Sequence, residues 1–247
     1  MKIPSIAAVA AALVFCGPVS AFNHLTGEDT SFLGKDGKQI ESGLDYTVSK
    51  KNPDRYSTGV SAELTYGFWD KLDLMVTIPW HGWNSDGISE SGLGDAMIEA
   101  KFLAGRKSDW ALGLKPGFSL PAGNEAKSLG AGQGGVWLYG IAGKTAGSWE
   151  YYLNAGYMLN RTTMDEEENI FKASASVMLQ ILPKLRTTAK LAAATNTDKN
   201  SVSHPVNCVF GLVWSPYPTL DLDAGLRLGL TKAADNFGLL TGITLRI

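Results

Sequence analysis

Along residues 40–247, apolar and polar side chains alternate with period two in runs of about ten residues, the pattern of strands with two unlike faces. The connectors between these runs alternate as well. Tight ones fall at Trp69-Asp70-Lys71, Gly105 to Asp109, Thr145 to Ser148, Pro183-Lys184 and Ser215 to Pro218. Longer polar ones fall between them, at Asn84 to Ser91, Pro121 to Gly132, Arg161 to Glu168, Asn196 to Ser203 and Thr231 to Asn236. Short turns at one end of the strands and longer loops at the other predict a transmembrane antiparallel up-and-down β-barrel, all-β, of about twelve strands. The strands are expected near 40–50, 56–68, 71–83, 92–105, 109–120, 133–145, 148–160, 168–181, 184–195, 204–215, 219–230 and 236–247, with both ends of the wall on the periplasmic side.

Parity assigns the faces. Leu72, Leu74, Val76, Ile78 and Trp80 share one face of the third strand, and Asp73, Met75, Thr77 and His81 share the other. The eleventh strand repeats the division, with Leu220, Leu222, Leu226 and Leu228 against Asp221, Asp223 and Arg227. A soluble sandwich would turn the leucines to a core, whereas a membrane barrel turns them to lipid, and local pattern alone does not choose. Tryptophan placement favours the membrane. Trp69, Trp110, Trp149 and Trp214 flank the short turns, and Trp80, Trp83 and Trp137 sit near the outer strand ends, as aromatic girdles would.

Residues 1–21 carry Lys2, an apolar stretch from Ile6 to Phe15 and a small-residue site at Val19-Ser20-Ala21, which reads as a secretory signal peptide too short to span a bilayer. Residues 22–39 are polar and glycine-rich and are expected to form a periplasmic lead-in or plug segment before the barrel of residues 40–247. The formal net charge of −2 comes without a basic block, which argues against nucleic acid as a partner. With Cys16 removed, Cys208 is the single cysteine of the mature chain, read as a small buried or lipid-facing thiol. No pair of histidines, or of His and Cys, has metal-ligand spacing, so neither metal nor cofactor is expected.

Parity places Glu63, Asp73, Asp95, Glu99, Glu150, Asp221 and Asp223 in the lumen with Lys101, Lys115, Lys172, Arg186, Lys190, Arg227 and Arg246. Of these, Glu63, Asp73, Asp95, Glu99, Lys101, Lys115, Asp221, Asp223 and Arg227 are the candidate ligand-binding or lumen residues. Acids and bases balance, which implies pairing across strands and an interior of no net sign. Asp95, which Gly92 and Gly94 place at the loop-to-strand entry of the fourth strand at the outer mouth, is expected to pair with Lys115, with solute binding as the alternative role. Interior glycines at Gly113, Gly117, Gly156, Gly225 and Gly229 either keep space open or ease curvature. The acidic run Asp165 to Glu168 is read as an outer loop tip.

Gly92-Leu93-Gly94-Asp95 and the strand through Lys101, then Phe118-Ser119-Leu120-Pro121-Ala122-Gly123, with Thr77-Ile78-Pro79-Trp80 and the glycine-rich stretch before Trp137, make the chain similar to a known outer-membrane family. It resembles the family associated with the meta-cleavage pathway of phenol degradation over residues 56–247. That resemblance implies a channel or transporter-like barrel in the bacterial outer membrane, with lipid, lipopolysaccharide and a small, aromatic or apolar solute as partners; it carries over no site residue. Two other classes stay open. One is a structural or adhesive barrel. The other is a lipid-directed enzyme, for which His81 near Ser85, or His204 after Ser203, would have to supply the base without an evident acid partner. Oligomeric state is not legible.

Overall fold

The computed structural model describes Leu25, residues 27–50 and residues 53–247; the expected signal peptide lies outside them. Thirteen strand segments follow one another: β1 (Lys38–Ser49), β2 (Arg55–Trp69), β3 (Leu72–Ser85), β4 (Ile88–Leu93), β5 (Ala96–Lys107), β6 (Trp110–Leu120), β7 (Val136–Ala146), β8 (Trp149–Leu159), β9 (Asn169–Leu182), β10 (Leu185–Ala194), β11 (Val206–Tyr217), β12 (Leu220–Gly229) and β13 (Phe237–Arg246). The antiparallel sheet closes through β1 on β13, from Gln39 opposite Arg246 to Val48 opposite Phe237, and through β2 on β3. A closed ring leaves no strand edge unpaired, the condition for backbone to cross a bilayer. Among the described residues no helix is long and apolar enough to cross a membrane.

β4 and β5 both pair with β3, one along its outer half and one along its inner half, so they form a single stave and the wall has twelve. The ladder lapses between them, where Pro79 offers no N–H and its carbonyl takes the amide of Gly94 at 2.9 Å. The expected loop from Asn84 to Ser91 is instead a hairpin. Pairing continues to Ser85 opposite Ile88, and Asp86-Gly87, with φ of 51° and 77°, makes a two-residue turn. This hairpin has no apolar face to mark it as strand, because it has no lipid to meet.

The outward face decides the environment. Leu64, Leu153 and Phe171 are 53%, 57% and 61% exposed, in a belt that includes Leu74, Val76, Ile78, Leu112, Leu138, Phe210 and Leu239, while Glu63, Asp73, Glu99 and Lys115 are buried inside. A water-soluble monomer does not expose apolar surface on that scale. Trp69, Trp110, Trp149 and Trp214 are exposed at the short-turn rim, and Trp80 faces outward near the other. Trp137 departs from the expected girdle. It shares parity with Tyr139 and Ile141, is 7% exposed, and donates Nε1–H to Glu99 Oε1 at 2.9 Å inside the barrel. Cys208 has the parity of the outward Phe210 and Leu212, as a lipid-facing thiol would.

Ahead of β1 the chain folds back into the lumen. At the inner rim Asp36 N donates to Gly67 O at 2.8 Å and Gly67 N to Gly37 O at 2.8 Å, while Gly37 N reaches Gly34 O at 3.2 Å and closes a turn. Gly34, at φ 77°, adopts a left-handed conformation that glycine tolerates without strain. From there residues 33 down to 27 ascend inside the barrel, and Leu25 is buried against Val209, Val213 and Leu240 on the far wall.

Candidate functional site

The ascending segment is held by charge. Lys115, buried at mid-height on β6, lies 2.8 Å from Glu28 Oε1 and 2.9 Å from Glu99 Oε2, and Lys101 on β5 lies 2.9 Å from Asp29 Oδ1. Leu33 N donates to Asp73 Oδ2 at 3.2 Å, and the Glu28 carbonyl accepts Asn154 Nδ2–H at 3.1 Å from β8. Leu25 lies over Gly211 and Gly225, where a Cβ at either position would collide with its methyl carbons. Residues 27–33, with Leu25 at the far end, thus form a strap from the β5–β6 wall to the β11–β13 wall.

Two cavities flank the strap, and both are lined by Gly27 and Glu28. The outer one, of 410 Å³, includes Trp83, Tyr139, Met158 and Ile170, with as many carboxylates as lysines and arginines. The inner one, of 440 Å³, is lined by eight carboxylates and three bases. The expected interior of no net sign therefore does not hold along the axis: the acids gather toward the periplasmic end. Part of the excess comes from Glu28, Asp29 and Glu41, which the inward list read from sequence lacks. Glu41 and Asp45 were findable, since Ile40 and Leu44 alternate with them along β1.

Of the candidate residues, Glu63, Asp73, Lys101, Asp221 and Asp223 line the inner chamber and Arg227 the outer one. Asp221 takes Arg246 at 2.7 Å and Arg186 at 3.1 Å. Arg227 on β12 reaches past Gly238 of β13 to grip both oxygens of Asp45 on β1 at 2.7 and 2.8 Å, a crossing that a side chain at Gly238 would obstruct. Glu99 and Lys115 hold the strap.

Asp95 does not pair with Lys115. Its carboxylate accepts Gly123 N at 2.9 Å and Ala131 N at 2.8 Å, fixing the long outer loop. Ala96 lies opposite Leu120, so Asp95 stands about six residues, roughly 20 Å, above the level of Lys115. The interior glycines are not open space either. The Trp137 ring covers Gly117 and the Tyr139 ring covers Gly156, each its direct cross-strand partner.

At the outer face Thr163 N bonds Ala131 O at 3.0 Å and Thr163 Oγ1 donates to Glu125 Oε2 at 2.9 Å, joining two loops. The acidic run is tied in as well. Asp165 meets Lys199 at 2.7 Å, and the hydrogen bond and charge of that ammonium hold the Asp165 carboxyl below its usual range. Burial raises that of Glu166, against a hydrogen bond from Asn160.

The model of one protein family, described as "Putative MetA-pathway of phenol degradation", matches residues 26–247. The chain belongs to this family. No curated protein matches it in sequence. Among solved structures it is similar to the COG4313 outer membrane channel from Pseudomonas putida F1, at 15% identity and TM-score 0.75, over 89% of this chain and 98% of that one. It is also similar to the NanC porin (10% identity, TM-score 0.57, 85% and 100% covered) and to the translocator domain of the autotransporter NalP from Neisseria meningitidis (9%, 0.54, 88% and 91%). The family, the closed wall and its apolar belt place this member in the bacterial outer membrane.

Proposed function

We propose that the barrel passes small solutes across the outer membrane and that the strap of Leu25 and residues 27–33 is the movable closure of its path. The observation that carries this reading is the pair of chambers that meet at Gly27 and Glu28. A barrel with a purely structural role would have no use for two cavities in line. The strap is held by side-chain ion pairs, by hydrogen bonds to Asp73, Arg106 and Asn154 of the wall and by an apolar contact at its end, and it adds no strand to the wall. The outer chamber, with Tyr139, Met158 and Ile170 beside polar groups, suits a solute that has an apolar or aromatic body and a polar end, consistent with the family's link to phenol degradation.

A non-catalytic role fits the two Ser/His sets. Ser85 Oγ donates to the carbonyl of Asp54, and His204 Nδ1 accepts the amide of Asn196, so neither set is arranged as nucleophile and base. The test is planar-bilayer conductance and liposome flux of sugars, amino acids and aromatic acids, for the wild-type chain and a variant lacking residues 27–33. The deletion is expected to raise both. If neither protein conducts or passes any solute, the structural reading replaces this one.

A further inference from the structure

We propose that the inner chamber binds a small organic cation of the ammonium class at Glu41 and Glu63. This deepens the passage reading by naming the charge that the inner half of the path accepts, and it rests on that reading. The two residues lie directly opposite on β1 and β2, both buried and both inward, where like charges repel unless something sits between or beside them. Glu41 Oε1 accepts Gln39 Nε2–H at 2.6 Å and Thr244 Oγ1–H at 3.2 Å, whereas Glu41 Oε2 has no hydrogen-bond partner among the described residues. A carboxylate oxygen buried without a donor is costly, and a ligand N–H removes that cost.

The neighbouring bases are committed elsewhere. Lys115, whose charge reaches Glu63, is held by Glu28 and Glu99, and Lys101 is held by Asp29. Among the described residues Glu63 receives only hydroxyls, from Thr65 at 3.1 Å and Thr77 at 2.9 Å. Neither Glu41 nor Glu63 has an ion pair among the described residues. Asp73, also lining the chamber, adds a second buried carboxylate oxygen without a donor among the described residues. A chelated metal is disfavoured, because no group of three His, Cys, Asp or Glu among the described residues has metal-binding geometry. An ammonium needs no such cage. It brings donors to acceptor-only groups, and Met75 and Phe32 of the same chamber offer a surface for its carbon body.

The experiment compares three probes of one shape and different charge, benzylammonium, benzyl alcohol and benzoate, by calorimetric titration into the full mature chain in detergent micelles. Benzylammonium is expected to bind at least tenfold tighter than benzyl alcohol and to be displaced by ethylammonium but not by ethanol. Glu41→Gln and Glu63→Gln should each weaken benzylammonium at least tenfold and leave benzyl alcohol unchanged, with Asp165→Asn on the outer loop as a control. Heat-modifiability on a gel confirms that each variant is folded, and the displacement measurement on the wild type stands should either variant fail to fold. Equal binding of benzylammonium and benzyl alcohol would overturn the proposal and leave a carboxyl pair that shares only a proton. So would unchanged binding in both folded glutamine variants. Binding is read without flux, so a barrel that binds the cation but passes nothing keeps the site and loses the passage reading.

Discussion

Lys115 shows how one side chain carries both stability and closure. It is fully buried and bridges Glu99 of the wall to Glu28 of the strap. Lys115→Met leaves two buried carboxylates without their counter-charge, which is expected to cost about 3 kcal/mol or more in urea unfolding of the folded barrel. Adding Glu99→Gln should recover much of that loss; no recovery would mean that the pair is not what holds Lys115. Sequence parity found the inward position of Lys115 but not its partners. Glu28 is 87 residues away on a segment without periodicity, and Asp95 was the wrong partner because parity fixes a face and says nothing about height. Trp137 was misplaced in the opposite way: its height near a strand end outweighed the alternation with Val136 and Leu138 that turns it inward.

At the scale of elements, the wall was legible almost stave by stave, because lipid outside and polar side chains inside impose period two along every strand. What that period does not govern stayed hidden. The β3–β4 hairpin rises beyond the apolar belt, and the strap is a single irregular pass through the lumen, tied to the wall by tertiary contacts. The long outer loop is a further case, ordered from below by Asp95. Asp95→Ala removes the acceptor of two loop amides and is expected to cost about 1–3 kcal/mol locally. Amide hydrogen exchange should speed up at Gly123 and Ala131 with global unfolding little changed. Unaltered exchange at both would show that the tie to Thr163 holds the loop without Asp95.

For the whole molecule, the strap depends on its seat at each end. Gly211→Leu places a side chain where the Leu25 methyls lie, 2.7 Å from the Cβ position, without touching the ion pairs at the other end. Single-channel recordings are expected to show a higher or more frequently open conductance than the wild type, while the heat-modifiable gel shift stays the same. Unchanged recordings from a folded barrel would mean that the far seat plays no part in closure.

The turn from Gly34 to Gly37 gives that motion a direction. Residues 27–33 are tethered at the periplasmic rim through the Gly67 hydrogen bonds and run straight on into β1, so a segment that moved as proposed would swing on a hinge at the cell-facing end. On the proposed reading, solutes arriving from outside would meet a bolt drawn from within. Whatever draws it back, whether ionic conditions in the periplasm or a pull on the chain ahead of Leu25, would act from the side of the cell that receives the solute, so that admission would be under the control of the recipient compartment.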